Sequence, residues 1–206
     1  MSNPKISSTE ARGSWVASAL AVLLLTLITV YAQEQSLGIH FIESVQMVRH
    51  EAVMTGTSAN PWSYRVLSEY VAEAFIRMAA VVTPKHAELV GLLSLRLLQN
   101  ACLFVLALLF YRRLGLTARE SFIGIVVPAY SITHALYNSD LSFNTYSDIC
   151  FYLFSGWIVL KYGASWWLLP ISFLAALNRE TSLFISLMPL AQLVAVAGRG
   201  WLERAS

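Results

Sequence analysis

Charge is what this sequence has least of. Only 13% of its 206 residues are Asp, Glu, Lys or Arg, about half the roughly 25% of a soluble globular chain. A chain so poor in solvating groups is not an ordinary water-soluble domain. The net charge is only +2 and no dense Lys/Arg run occurs, so nucleic acid is not an expected partner. Cysteine is scarce too. Cys102 and Cys150 both lie inside apolar runs, as small core hydrophobes do, rather than in the setting of a disulfide or metal site. A glycine-rich phosphate loop is missing, which argues against nucleotide hydrolysis. His134 has no Gly-x-Ser-Gly motif beside it, so serine hydrolysis lacks its nucleophile. His40 with Glu43, then His50 and Glu51, are metal-capable. Zinc sites assemble three or four ligands, and no further set is visible, so no metal site is expected.

What the chain does have is apolar length: 57% hydrophobic residues and a mean hydropathy of +0.60. A helix needs about 20 mostly apolar residues to cross ~30 Å of hydrocarbon. The gaps between charges predict an all-α, polytopic helix bundle forming one membrane domain over 1–206. Its six spans are 15–32, 89–111, 121–138, 144–160, 162–177 and 181–198. The second carries Arg96, the third a predicted kink at Pro128, and the fourth Asp148. The last two are short and read equally as a tilted hairpin or a pair that does not fully cross. "TVYA" at 29–32 has the small residues a signal peptidase reads. The apolar stretch before it outruns the ~7–15 residues of a signal core, which favours a retained span.

Lys5 and Arg12 precede the first span, and Arg112, Arg113 and Arg119 follow the second. Lys161 follows the fourth, and Arg199 and Arg204 follow the sixth. The positive-inside bias places all of these, and both termini, in the cytoplasm of a multi-pass cell-membrane protein. Segment 33–88 then lies outside. It reads as two amphipathic helices, 38–54 and 62–82, joined by a turn over 55–61, with Trp62 and Tyr64 suited to the interface.

Arg96, Asp140, Asp148, Arg179 and Glu180 then all fall toward the outer side. An ionisable group at bilayer depth costs ~2.5–3.5 kcal/mol and usually faces a cavity or partner. Several on one side predict a polar recess opening outward. The alternative is that they pair to hold the bundle, with little net gain because desolvation offsets attraction. Arginine forks bind phosphate oxygens, and a carboxylate can deprotonate a hydroxyl. That combination suits transfer from a phosphate-linked donor. A small transporter is disfavoured, since no polar stripe continues into the inner half.

The order of short motifs narrows this further. "HFIESVQMVRHEAVMTG" offers Glu43 after the first span. Gly56 and "NPWSYRVL", with Tyr64 and Arg65, come next. Arg96–Leu97 opens the second span, which ends in "YRRLGL". Asp148 sits in "NTYSDICFYLF", and Arg179 in "ALNRETSLF". This layout resembles the GT-C class of membrane glycosyltransferases, which take sugars from polyprenyl-phosphate carriers at the outer face. The resemblance implies that Glu43 acts as general base for the acceptor hydroxyl, or helps to hold a divalent cation, with Asp148 assisting. Arg179, with Arg65 or Arg96, would neutralise the departing lipid phosphate, and Glu180 would orient Arg179. Asn178 and Tyr64 complete the expected substrate-binding set. The class usually places an aspartate where Glu43 stands, and its members generally carry more spans. The implied partners are a polyprenyl-phosphate donor and membrane lipids. The rival expectation is a non-catalytic membrane protein that binds a lipid phosphate or a partner membrane protein.

Overall fold

Long apolar runs broken by few glycines and prolines fold as helices, and no strand occurs among the described residues. The structure is a computed structural model and describes residues 8–135, 143–163 and 165–194. Helix α1 is Ser8–Leu37 and α2 is Ile39–Phe41, followed by a π turn over Ile42–Gln46 and α3 over Met47–Met54. A 3-10 turn at Trp62–Tyr64 leads into α4, Val66–Val82, and another at Pro84–His86 into α5, Ala87–Arg113. Then come α6, Ala118–Ala135, α7, Phe143–Tyr162, α8, Leu168–Ala176, and a 3-10 helix, Glu180–Leu187.

Helix α5 is the axis of the molecule, packed against α1, α4, α6 and α7. Helix α1 runs antiparallel to it: Glu34 meets Arg96 near one end, while Val22 joins the Leu103–Leu108 region in one core cluster. Helix α7 runs parallel to it, since Gln99 donates to the Phe143 carbonyl and Arg113 to the Leu160 carbonyl. The return from α5 into α6 turns on Gly115, whose φ of +90° suits a residue without a Cβ. A capping box then starts α6: the Glu120 carboxylate accepts from the Thr117 N–H, and the Glu120 N–H donates to Thr117 Oγ1.

Helix α4 lies against the first half of α5 rather than apart from the bundle. Gly91 permits this, because a Cβ there would stand 2.7 Å from the backbone of Ile76. Ala72, Leu92, Leu95, Ile42, Met47 and Phe143 close the core at this end.

Three expected boundaries move. The first helix continues past Ala32 because Thr26, Thr29 and Gln33 form a buried stripe at helical spacing. Segment 33–88 therefore begins as part of that helix. The predicted helix 62–82 is broken near its start, where a 3-10 turn at Trp62–Tyr64 and a non-helical Arg65 precede α4. The predicted fifth span, 162–177, contains only the nine residues of α8, about 14 Å at 1.5 Å per residue against ~30 Å of hydrocarbon. Gly163 and the turn before Leu168, where Leu168 N–H bonds the Ser165 carbonyl at 3.1 Å, take up the rest. Residues 136–138 and 195–198 of the predicted third and sixth spans, and Asp140, lie outside the described residues.

Two stretches, Val16–Leu37 and Pro84–Arg113, are long and apolar enough to cross a membrane. Large apolar side chains also face outward elsewhere: Ile123 and Val127 on α6, Leu169 and Phe173 on α8, Leu183 and Phe184 beyond it.

Candidate functional site

The first turns of α4 and α7 and the chain between α8 and the 3-10 helix meet at one place. The Leu67 N–H bonds the Leu177 carbonyl at 3.2 Å, which ties α4 to the end of α8. Asn178, fully buried, is the hub: its Nδ2 donates to the Asn144 carbonyl at 2.8 Å, and its Oδ1 accepts from Ser68 Oγ. Ser147 continues the network, 3.0 Å from Ser68 Oγ and 2.9 Å from Gln99 Nε2. This scaffold fixes the charged residues around it.

Asp148 is 7% exposed. One carboxylate oxygen accepts from Ser182 Oγ. The other lies 3.9 Å from Arg179 NH1 and 3.5 Å from Thr181 Oγ1. Arg65 pairs with Glu180 at 3.0 Å, and its guanidinium rests 5.1 Å from the centre of the Trp62 ring, which Arg49 also faces at 4.1 Å. Glu180 therefore takes Arg65 as its hydrogen-bonded partner, with Arg179 near enough to act on its charge as well. The Nε atoms of Arg65 and Arg179 are both buried without a hydrogen-bond partner. The two guanidiniums flank Glu180, each with donor capacity left for an anion's oxygens. An apolar groove of about 440 Å³ opens beside this cluster, with Ser68, Gln99 and Ser147 at its polar edge and Leu67, Leu98 and Phe151 among its walls.

The expected residues do not all assemble here. Asp148, Asn178, Arg179, Glu180 and Arg65 do. Tyr64 is largely exposed on its 3-10 turn. Arg96, 1% exposed, turns instead toward α1 and approaches Glu34 at 3.7 Å, with the Phe143 and Tyr146 rings 5.6 and 6.0 Å from its guanidinium carbon. Gln33 Nε2 donates to the Tyr146 hydroxyl at 2.6 Å beside it. Glu43 lies on the π turn that packs against α5, but its side chain lies outside the described residues.

Sequence reasoning missed a third polar group. His50 is buried between two carboxylates of α4, Nδ1 at 3.0 Å from Glu69 and Nε2 at 3.1 Å from Glu73. Only an imidazolium donates from both nitrogens. The hydrogen bond to Glu69 accordingly raises the His50 pKa above its ordinary 6.5. Glu73, bonded first by Arg77 and then by His50, is held below its ordinary 4.5. Among the described residues no group of three or more His, Cys, Asp or Glu side chains is placed to hold a metal ion.

No family model, curated protein or solved structure matches the chain.

Proposed function

We propose that this chain is a multi-pass membrane protein of GT-C-like character. It would transfer a sugar from a polyprenyl-phosphate donor to an acceptor at the extracytoplasmic face. Helices α1, α5, α6 and α7 cross the bilayer, and α8 with the 180–194 helix completes the bundle as a hairpin. Either way the number of crossings is even, and both termini stay in the cytoplasm. The exposed apolar faces of α1, α6 and α8 support this placement, because soluble monomers rarely expose such continuous patches.

One observation carries the chemical reading. Arg65, Asp148 and the neighbouring pair Arg179 and Glu180, from three separate segments of the chain, converge beside an apolar groove. In this reading Arg65 and Arg179 hold the lipid phosphate, and its chain lies along the groove. Glu43 takes the acceptor's proton, with Asp148 assisting. The π turn under Glu43 fits such a role, since π turns recur at functional sites. A divalent cation, if used, would bind Glu43.

The test is sugar transfer in membranes from a labelled polyprenyl-phosphate sugar. Glu43→Gln and Arg179→Ala should each abolish transfer at normal expression. Normal transfer by both variants sinks the assignment. A binding-only reading draws on the way Ser182, Thr181 and Arg179 already occupy Asp148. It requires lipid-phosphate binding that survives Glu43→Gln, and no turnover in the wild type.

A further inference from the structure

At the opposite end of α7 lies a second groove, of about 470 Å³, between α7 and α8, well inside the ~300–1,000 Å³ range of ligand sites. Phe154, Trp157, Tyr162, Trp167, Pro170 and Leu174 are among its walls. From Phe154 to Lys161 is about 10 Å along the helix, at 1.5 Å per residue. The groove is apolar for this length and then meets positive charge. The Lys161 ammonium rests 4.6 and 4.8 Å from the centres of Trp157 and Tyr162, two of the rings that wall the groove. Arg113 comes to the same end of α7, its Nε donating to the Leu160 carbonyl at 3.2 Å.

The last-turn carbonyls of α7 do not hold Lys161. Arg113 takes that of Leu160, and Gln192 Nε2 takes that of Val159 at 3.2 Å. Among the described residues no carboxylate lies within ion-pair distance of Lys161, Arg112 or Arg113. All three are exposed. Trp166 and Trp167 stack on each other at 4.0 Å where the chain enters α8, an arrangement suited to the headgroup level of a bilayer. An apolar slot ending in stacked indoles and in cations that meet no carboxylate among the described residues matches a molecule with a hydrocarbon tail and an anionic head. A partner helix would fill the slot but leave Lys161 uncompensated. A zwitterionic head would bring its own cation to the same rim.

We propose that the α7–α8 groove binds one anionic phospholipid of the cytoplasmic leaflet, its acyl chain along Trp157 and Phe154 and its phosphate on Lys161 and Arg113. Basic pockets between helices on this side take anionic headgroups in this way. The site rests on the membrane placement above but not on sugar transfer; it shares Phe154 and Leu174 with the first groove, and its cationic end lies at the far end of α7 from Asp148.

The experiment is native mass spectrometry of the full chain in detergent, after carbonate extraction has shown that it resides in the membrane. The probes are phosphatidylglycerol and phosphatidylcholine with the same acyl chains. The wild type should retain phosphatidylglycerol in preference. Lys161→Gln should weaken that preference about fivefold, and Pro170→Trp, which crowds a wall belonging to this groove and not to the one beside Asp148, should lower retention of both lipids. Arg119→Gln, a cation on the same side away from the groove, should change nothing. The proposal is overturned if the wild type does not discriminate, if Lys161→Gln keeps its preference, or if the preference follows Arg119 or Arg179 instead. A membrane-resident chain that fails these tests loses this site and keeps the transferase reading. A chain released by carbonate loses both.

Discussion

Arg96 and His50 are both buried cations, but their surroundings make them behave differently. Arg96 has Glu34 for a counter-ion at 3.7 Å, with NH1 and NH2 otherwise unbonded. Breaking a buried pair by removing one partner costs about 3–5 kcal/mol, while replacing both with apolar groups costs less. Glu34→Gln should therefore lower the thermal unfolding temperature in detergent more than the double variant Glu34→Leu/Arg96→Met does. His50 instead sets a pH window. Its proton is held more tightly in the folded chain, so its contribution is complete below about 6.5 and is lost as pH rises through the raised value. Glu73, held below its ordinary value, contributes above about 4.5 and ceases to as pH falls through its lowered pKa. Amide protection across Met47–Met54, taken relative to the base-catalysed intrinsic exchange rate, should be greatest between these limits and fall as pH rises, and His50→Gln should flatten that fall. Arg96, Asp148 and Arg179 were legible in the sequence because a charge inside an apolar run stands out against its neighbours. Glu34 was not, because it follows the apolar run and looks like its polar end. Thr26, Thr29 and Gln33 carried the missing signal, a polar stripe three and four residues apart. His50 was hidden among other charges, where periodicity does not reveal which one turns inward.

Among the elements, α5 and α7 were easy to read and α8 was not. Length and hydropathy suffice for a helix that runs uninterrupted between charges, as from Ala87 to Arg113. They do not show that Gly163 and the 165–167 turn consume the first third of an apolar segment, because tryptophans are apolar in a turn as well as in a helix. The docking of α4 was also missed, since the Gly91 that admits it reads as one small residue in an apolar run. Its importance is open to test. Gly91→Ala sets a methyl against the backbone of Ile76, which cannot swing aside. It should destabilise by about 1–3 kcal/mol, read as a drop in unfolding temperature. Gly124→Ala meets the side of the Tyr111 ring instead and should cost less, because a ring can turn.

For the whole molecule, the all-helical class was legible from composition together with the lengths of the apolar runs between charges, while the packing around α5 was not. Which helices touch depends on small residues and buried polar pairs that a count of apolar stretches does not register. The proposed topology predicts opposite labelling of two sites. A cysteine placed by Ala59→Cys, at an exposed position of the same turn, should react with an impermeant maleimide added outside intact cells. One placed by Arg112→Cys should react only after the membrane is opened. The reverse pattern, or equal labelling, would remove the extracytoplasmic assignment of the Asp148 cluster.

The Glu34–Arg96 contact also bears on how the chain is made. Synthesis runs from the amino terminus, so the acid at the end of α1 emerges some sixty residues before the base in α5. In the proposed topology the counter-ion is already waiting at the membrane when the arginine arrives. The long helix need never carry an unpaired cation into lipid, provided the first helix lingers near the insertion machinery until the second joins it.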